Sequence, residues 1–238
     1  VGVGEFNRQD SDRYVSFWSK MMESTKLGVM RQCYTFVIVL FSALLGSNLF
    51  AESVNVKAEN LTPIQVVTAA VSDVLTEMRA NEALYMQDPT KINELVNQKV
   101  VPYFDFSRMT RLAMTTYWNS ATASQRSDVA EAFQNLFVTT YGKQLFDYRN
   151  SSADIEPVTE ATEQKAILKL KASSQRGDDV ALFLRLEKRT DKWQIIDVNV
   201  DGVSYVVTMR GQFSDNLSQK GIDGLILFLK EAAEQRAP

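Results

Sequence analysis

The spacing of apolar residues changes twice along the chain, once near residue 150 and again near residue 203. Between residues 62 and 148 apolar positions recur every three or four residues, which is the spacing of amphipathic helices. Over residues 153–200 they alternate with polar positions, which is typical of strands that bury one face. Helical spacing returns over residues 203–235, with a break expected at Gly221. The order of helices, antiparallel sheet and helices predicts the α+β class.

Several helix starts are marked by residues that satisfy free backbone N–H groups. Thr62 followed by Pro63 predicts a cap and a first helical position. Thr122 and Gln125 form a capping-box pattern ahead of the longest helical stretch. We therefore expect helices to begin close to these residues.

The helix expected after Thr122 carries an apolar stripe that is rich in aromatic side chains. Its members are Val129, Phe133, Leu136, Phe137, Tyr141, Leu145 and Tyr148. Taken singly, each is best interpreted as a core residue. The alternative is that so much apolar surface, in a small domain without catalytic groups, lines a cavity for an apolar ligand. Both interpretations require the same residue types.

Three strands joined by short turns predict an antiparallel meander, and residues 154–159 can add a fourth strand at its edge. Pro157 fits an edge strand because a proline donates no backbone hydrogen bond. A curved sheet with helices across its concave face would form a cone with an apolar interior. That interior could hold side chains or a ligand.

The first 51 residues are predicted to lie outside the fold. A basic flank, a short apolar run and a small residue at Ala51 predict a secretory signal peptide over residues 30–51. An uncleaved anchor is the alternative, although a membrane span needs roughly 20 apolar residues. Residues 1–29 are interpreted as an over-extended N-terminus ahead of Met30, and residues 52–238 as the folded domain.

Composition excludes several classes of function. The formal net charge of −3 argues against nucleic acid as a partner. The chain has no histidine and a single cysteine, which excludes a His/Cys zinc site and any nucleophile activated by histidine. The sequence also lacks a phosphate loop and a dinucleotide fingerprint. We predict no catalytic residue, no metal site and no cofactor.

Two carboxylates nevertheless lie in apolar surroundings along the sequence. Asp105 falls between two phenylalanines, so it is either a helix cap or a desolvated acid with a raised pKa. Asp197 is expected to pair with Arg185 or with a lysine. An isomerase-like enzyme using Tyr141 and Asp105 is the alternative function that these residues leave open.

Five segments of the sequence, in their order and spacing, resemble the MlaC family, which is also called the toluene-tolerance auxiliary family. They are VVPYFDFSRM, TTYWNSATASQR, AFQNLFVTTYGKQL, DVNVDGVSYVVTMRGQF and GIDGLILFLKE. The resemblance spans residues 61–230. Thr115 departs from the pattern, since the family commonly has glycine there.

The resemblance implies a nuclear-transport-factor-like sheet with an added helical subdomain around a deep pocket for acyl chains. Residues 52–238 would then be a lipid-binding domain of a periplasmic phospholipid carrier. The implied partners are phospholipid, an outer-membrane lipoprotein–porin complex and an inner-membrane ABC transporter with an MCE-domain ring. The implied role is to shuttle lipid between these complexes and maintain outer-membrane lipid asymmetry. No basic clamp for the headgroup is required, because the headgroup could stay in solvent.

Matching the family's segments also suggests which side chains line the pocket, and periodicity suggests that they face inward. The candidates are Phe104, Met109, Tyr117, Phe137, Tyr141, Val203, Val206 and Ile226. Two other functions remain open: an enzyme on the same scaffold, and a periplasmic adaptor that binds no ligand.

Overall fold

Helices make up the first and last parts of the described chain, with an antiparallel sheet between them. A computed structural model describes residues 61–158, 161–173 and 179–237. The signal peptide and the other predictions for residues 1–60 lie outside the described residues. The α+β class is confirmed.

The elements are numbered in chain order. The helices are α1 Pro63–Ala80, α2 Glu82–Gln87, α3 Thr90–Lys99, α4 Phe106–Met114, α5 Tyr117–Ser120, α6 Ala123–Asp147 and α7 Tyr205–Glu234, with a 3-10 turn over Val101–Tyr103. The strands are β1 Ala153–Pro157, β2 Lys165–Ser173, β3 Asp179–Arg189, β4 Lys192–Val200 and β5 Val203–Ser204. Within the described ranges, no helix combines the length and the apolar character that crossing a membrane requires.

The expected caps are confirmed at both marked helix starts. Thr62 is the N-cap of α1, and its hydroxyl accepts a hydrogen bond from the Gln65 backbone N–H at 3.3 Å. The Gln65 side chain accepts in return from the Thr62 N–H at 2.8 Å. Thr122 and Gln125 make the same reciprocal pair at α6, at 3.2 and 3.1 Å. These local bonds satisfy backbone donors that no preceding helical turn can reach.

The sheet is a meander in which each strand pairs antiparallel with the next, in the order β1-β2-β3-β4-β5. The expected edge strand is confirmed as β1, and Pro157 is its last residue. The register of β3 and β4 shifts between Arg185 and Leu186. A shift of this kind bends and twists the strand locally.

The boundary between the sheet and the last helix was predicted wrongly. We expected a helix from Val203, but Val203 pairs with Val200 and Ser204 pairs with Asn199 as a two-residue strand. Asp201 and Gly202 have positive φ angles of 50° and 89°. Two consecutive residues with positive φ make a tight hairpin turn, which returns the chain alongside β4 before α7 begins.

Asp197 joins the sheet to the start of α7. Its carboxylate is buried, with 6% of the residue exposed. It accepts from the Ser204 hydroxyl at 2.6 Å and from the Val206 N–H at 3.1 Å. The expected partner Arg185 lies further away, at 3.8 Å. Asp197 therefore does more than form an ion pair, because it also satisfies the free N–H end of the helix.

The long helix α6 is buried on more than one side. The expected stripe includes the fully buried Phe133, but Val138 and Phe146 are buried as well and pack with α1, α2 and α3. At Gly142 an added Cβ would lie 2.5 Å from Asn93 Oδ1 on α3. Any larger residue at this position would require the Asn93 side chain to move. The single-stripe prediction was incomplete for this reason.

Three further backbone features concern the helices. The short helix α2 was not predicted, since Tyr85 is its only buried residue. The break at Gly221 is confirmed, with φ 68° and ψ −168° inside α7. Thr115, after α4, has φ 53° and ψ −120°. This conformation suits glycine and is strained in a β-branched residue.

We expect Asp197→Ala to lower the free energy of unfolding by about 2–3 kcal/mol, because the Val206 N–H and the Ser204 hydroxyl would lose a charged acceptor in a buried place. Urea unfolding measures the change. Asp197→Asn keeps one acceptor oxygen and should cost clearly less. Equal costs for the two variants would contradict this account of Asp197.

We expect Thr115→Gly to raise the free energy of unfolding by about 1 kcal/mol, because relief of backbone strain outweighs the added freedom of the unfolded chain. Thr116 is the matched control, since its φ of −67° and ψ of −30° are helical. Thr116→Gly should destabilise the protein instead. Thermal unfolding of both variants tests the opposite signs.

Candidate functional site

Three apolar cores meet inside the fold. The first is formed by α4, α6 and α7 around Phe133, and the second by the sheet and the start of α1 around Leu186. The third lies among α1, α2, α3 and α6 around Met78. Each of these three side chains is completely buried. Burial of this kind is the main stabilising contribution to the fold.

Where the cores meet, four aromatic residues keep part of their surface accessible. Phe104 packs against the first and second cores, and Phe137 against the first and third. Their ring centroids lie 5.2 Å apart. Tyr141 and Tyr205 complete the set, which we call the aromatic junction: Phe104, Phe137, Tyr141 and Tyr205. All four are half-buried.

The rings of the aromatic junction contact one another closely. Tyr141 lies 5.1 Å from Phe137 and 5.6 Å from Tyr205, measured between centroids. Phe137 and Tyr205 are 5.6 Å apart at an edge-to-face angle of 66°. Such pairs contribute about 0.5–1.5 kcal/mol beyond simple burial. Side chains shared between cores are normally enclosed, so their accessible surface indicates a concavity between the cores.

The pKa values of Tyr141 and Tyr205 show that both phenols are desolvated. Burial raises the pKa of Tyr141 to about 12 and raises the pKa of Tyr205 well above its ordinary value. The Arg236 guanidinium opposes both shifts. A side chain that is desolvated and yet keeps accessible area lies in a recess and not on a flat surface. We infer that the aromatic junction lines an apolar recess.

The apolar face of the sheet is covered unevenly. Its paired residues Leu168 and Leu184 are buried, in the same core as Val67 of α1. Further along the face, Leu182 and its partner Val200 are only half-buried. Val200 also pairs with β5, whose last residue directly precedes Tyr205. Strand β5 therefore connects the partly uncovered end of the sheet to Tyr205 of the aromatic junction.

The structure brings some of the predicted pocket residues together and separates others. Phe104, Phe137 and Tyr141 belong to the aromatic junction. Met109 and Val206 are fully buried within the first core, and Ile226 is half-buried against it.

Two further residues of the predicted set lie outside the aromatic junction. Val203 is half-buried on β5. Tyr117 does not face inward as expected, since it is 37% exposed on α5. The next residue, Trp118, carries the Arg126 guanidinium over its ring at 5.2 Å. The inward orientation inferred from periodicity was wrong for Tyr117, because α5 is a separate four-residue turn and does not continue the stripe of α4.

Tyr205 belongs to the aromatic junction but was missed by sequence reasoning. It is the first residue of α7. The available signal was the DG pair that precedes it, because a tight hairpin turn at Asp201 and Gly202 sets where the following helix starts. If the turn is not recognised, Tyr205 is predicted to lie inside a helix that begins at Val203.

The carboxylate proposed for catalysis has a structural role. One Asp105 oxygen accepts from the Arg108 backbone N–H at 2.8 Å and caps α4, and the other lies 3.2 Å from Arg189 Nη1. Ser204 caps α7 by accepting from the Val207 N–H at 3.0 Å. Among the residues that the structure describes, no three Asp, Glu, Cys or His side chains are grouped to hold a metal ion. The aromatic junction therefore offers apolar surface and neutral phenols.

These features define a class of protein in which helices and an antiparallel sheet pack around apolar cores, with half-buried aromatic side chains where the cores meet. The MlaC protein family matches residues 68–231. The chain belongs to the MlaC family.

Two relatives and a solved structure illustrate what the chain is similar to. The toluene tolerance protein ttg2D of Pseudomonas putida is 25% identical over 68% of this chain and 76% of its own length. The intermembrane phospholipid transport system binding protein MlaC of Haemophilus influenzae is 24% identical over 73% of this chain and 83% of its own length. A phospholipid-binding protein of Ralstonia solanacearum, solved in complex with a phospholipid, has a TM-score of 0.68 and 32% identity, covering 75% of this chain and 100% of that chain.

We expect the free energy of unfolding to fall as pH rises from about 10 towards 12. Tyr141 keeps its proton in the folded state up to a pKa of about 12, whereas its ordinary value is 10.0. In this range the unfolded chain loses a proton that the folded chain retains, at up to about 1.4 kcal/mol per pH unit. Urea unfolding of Tyr141→Phe should show a shallower decline than the unsubstituted protein. Identical slopes would mean that the phenol is not desolvated.

Proposed function

We propose that the chain is a phospholipid carrier that holds acyl chains against the aromatic junction. The observation that carries the proposal is the half-buried aromatic set at the meeting point of three cores, where the pKa of Tyr205 is strongly raised by desolvation. Membership of the MlaC family supports it, as does the phospholipid in the complex of the Ralstonia relative.

The physical need for such a carrier follows from the cost of exposing acyl chains to water. Each methylene transferred to water costs about 0.8 kcal/mol, so two chains with about 30 methylenes cost on the order of 24 kcal/mol. Spontaneous desorption from a membrane is therefore very slow. A dry recess lined by aromatic rings replaces one apolar environment with another, so that transfer to or from a partner can be nearly balanced in free energy.

We assign binding, and not catalysis, to the recess. The Asp105 carboxylate required by the isomerase-like alternative is occupied by the α4 cap and by Arg189. The relatives are named as phospholipid-binding and transport proteins. We place the carrier in the periplasm, between an outer-membrane lipoprotein–porin complex and an inner-membrane ABC transporter with an MCE-domain ring. Moving lipid between them would maintain outer-membrane lipid asymmetry.

Native mass spectrometry of the gently purified protein tests the proposal. We expect phospholipid to accompany the protein and Val203→Glu to abolish it, because a carboxylate would enter the partly uncovered apolar end of the sheet. Val207→Glu is the matched control, since Val207 is 49% exposed on the neighbouring turn of α7. The control should retain its lipid.

Circular dichroism should show that both variants remain folded. Phospholipid retained by a folded Val203→Glu protein would remove Val203 from the site. A lipid-free unsubstituted protein that also takes up no lipid from vesicles would contradict the carrier function itself.

A further inference from the structure

Two arginines from the long helices are fixed against the ends of α4 and α5. The guanidinium carbon of Arg126, on α6, lies 5.2 Å from the centroid of the Trp118 ring. Arg126 Nε donates to the Trp118 carbonyl oxygen at 3.0 Å, and its Nη2 donates to the Asn119 carbonyl oxygen at 3.4 Å. Arg210 of α7 donates from Nε to the Leu112 carbonyl oxygen at 3.3 Å. These bonds bring cations from two helices to the short connection between α4 and α5.

The connection itself is held by backbone hydrogen bonds. The Thr115 N–H donates to the Arg111 carbonyl oxygen at 3.2 Å, and the Trp118 N–H donates to the Thr115 carbonyl oxygen at 3.4 Å. Arg111 precedes this turn and Tyr117 follows it, and both residues are exposed. The arginines and aromatic residues gathered here are called the basic corner: Arg111, Tyr117, Trp118, Arg126 and Arg210.

The charge of the basic corner is opposite to that of the whole chain. The formal net charge of the chain is −3, whereas residues 106–127 contain three arginines and no acidic residue. One of the three, Arg108, pairs with Glu187 at 3.0 Å. In the part of the chain that the structure describes, the arginines of the basic corner have no carboxylate within ion-pair distance. An uneven charge distribution of this kind orients a protein in front of an anionic surface.

The apolar content of the basic corner fits a membrane surface better than a protein partner. Tyr117 is 37% exposed, whereas Trp118 is half-buried and packs against the first core. A stable protein interface buries about 800 Å² on each partner around an apolar centre, which one exposed ring does not supply. Tyrosine and tryptophan lie preferentially at the level of lipid headgroups, and basic side chains are attracted to anionic headgroups without a shaped pocket.

We propose that the basic corner docks the protein reversibly on an anionic membrane surface. This inference goes beyond the proposed function and does not rest on it, because docking requires headgroups outside the protein and no lipid in the recess. Each basic side chain near an anionic membrane strengthens binding by about fivefold. Three arginines therefore give weak binding that salt can screen, so that the protein can leave the membrane again.

Vesicle flotation of the purified protein tests the docking. One set of vesicles contains phosphatidylcholine alone, and the other contains equal parts of phosphatidylcholine and phosphatidylglycerol. We expect the unsubstituted protein to float with the anionic vesicles at low salt and not with the neutral ones. Salt at about 1 M should release it, because charges are then screened beyond about 3 Å.

Paired substitutions separate a local surface from net charge. Arg111→Gln combined with Arg210→Gln should weaken binding about 25-fold, because two exposed cations are lost. Lysine at the same two positions should keep the binding, since a membrane attracts charge without requiring a planar guanidinium. Lys143→Gln combined with Lys230→Gln is the matched control, because it removes the same charge from two other exposed positions. Lys143 lies about 25 Å along α6 from Arg126. Circular dichroism checks that all three variants are folded.

Each remaining outcome would overturn the docking surface. Equal weakening by the two glutamine variants would mean that net charge alone acts, and loss of binding with lysine would indicate a partner that requires guanidinium groups. Binding to a polyglutamate peptide without binding to anionic vesicles would assign the basic corner to an acidic protein. Self-association in sedimentation velocity that the Arg111 and Arg210 substitutions abolish would assign it to a second copy of the chain. Failure of the unsubstituted protein to float with anionic vesicles at low salt would refute docking and leave the carrier function untouched, because native mass spectrometry of captured lipid tests that function separately.

Discussion

The structure depends on how one helix, α6, packs against several neighbours at once. Gly142 lets its carboxyl-terminal half lie close against α3, where an added Cβ would meet Asn93 at 2.5 Å. On another side the same helix carries Phe137 and Tyr141, whose ring centroids lie 5.1 Å apart and whose rings both contact Tyr205. The helix is thus closely packed on one side and carries half of the aromatic junction on another. The lipid site we propose follows from that asymmetry.

The position of α7 completes the recess, and it is set by polar contacts. Asp197 is buried in the sheet and accepts hydrogen bonds from Ser204 and the Val206 N–H. These bonds satisfy the free end of the helix and hold its first residue, Tyr205, against Phe137 at 5.6 Å. A buried carboxylate is stable only when it is well hydrogen-bonded. This buried polar interaction therefore serves to position an apolar wall.

The chemistry of the recess is consistent with binding and release. Its walls are aromatic rings and aliphatic side chains, which favour acyl chains without holding them by directional bonds. Its two phenols stay neutral because burial raises their pKa. A charged side chain among these walls would oppose the entrance of hydrocarbon.

Local signals in the sequence were sufficient for the α+β class, the meander, the capping boxes at Thr62 and Thr122, and the break at Gly221. Each of these depends on residues within a few positions of one another, so the sequence by itself determined them. The tertiary structure alone decided that α6 is buried on several sides, that Tyr117 is exposed, and that the Tyr205 ring contacts Phe137 and Tyr141. Those outcomes depend on contacts between residues far apart in the chain, and an apolar residue has the same pattern whether it fills a core or lines a recess.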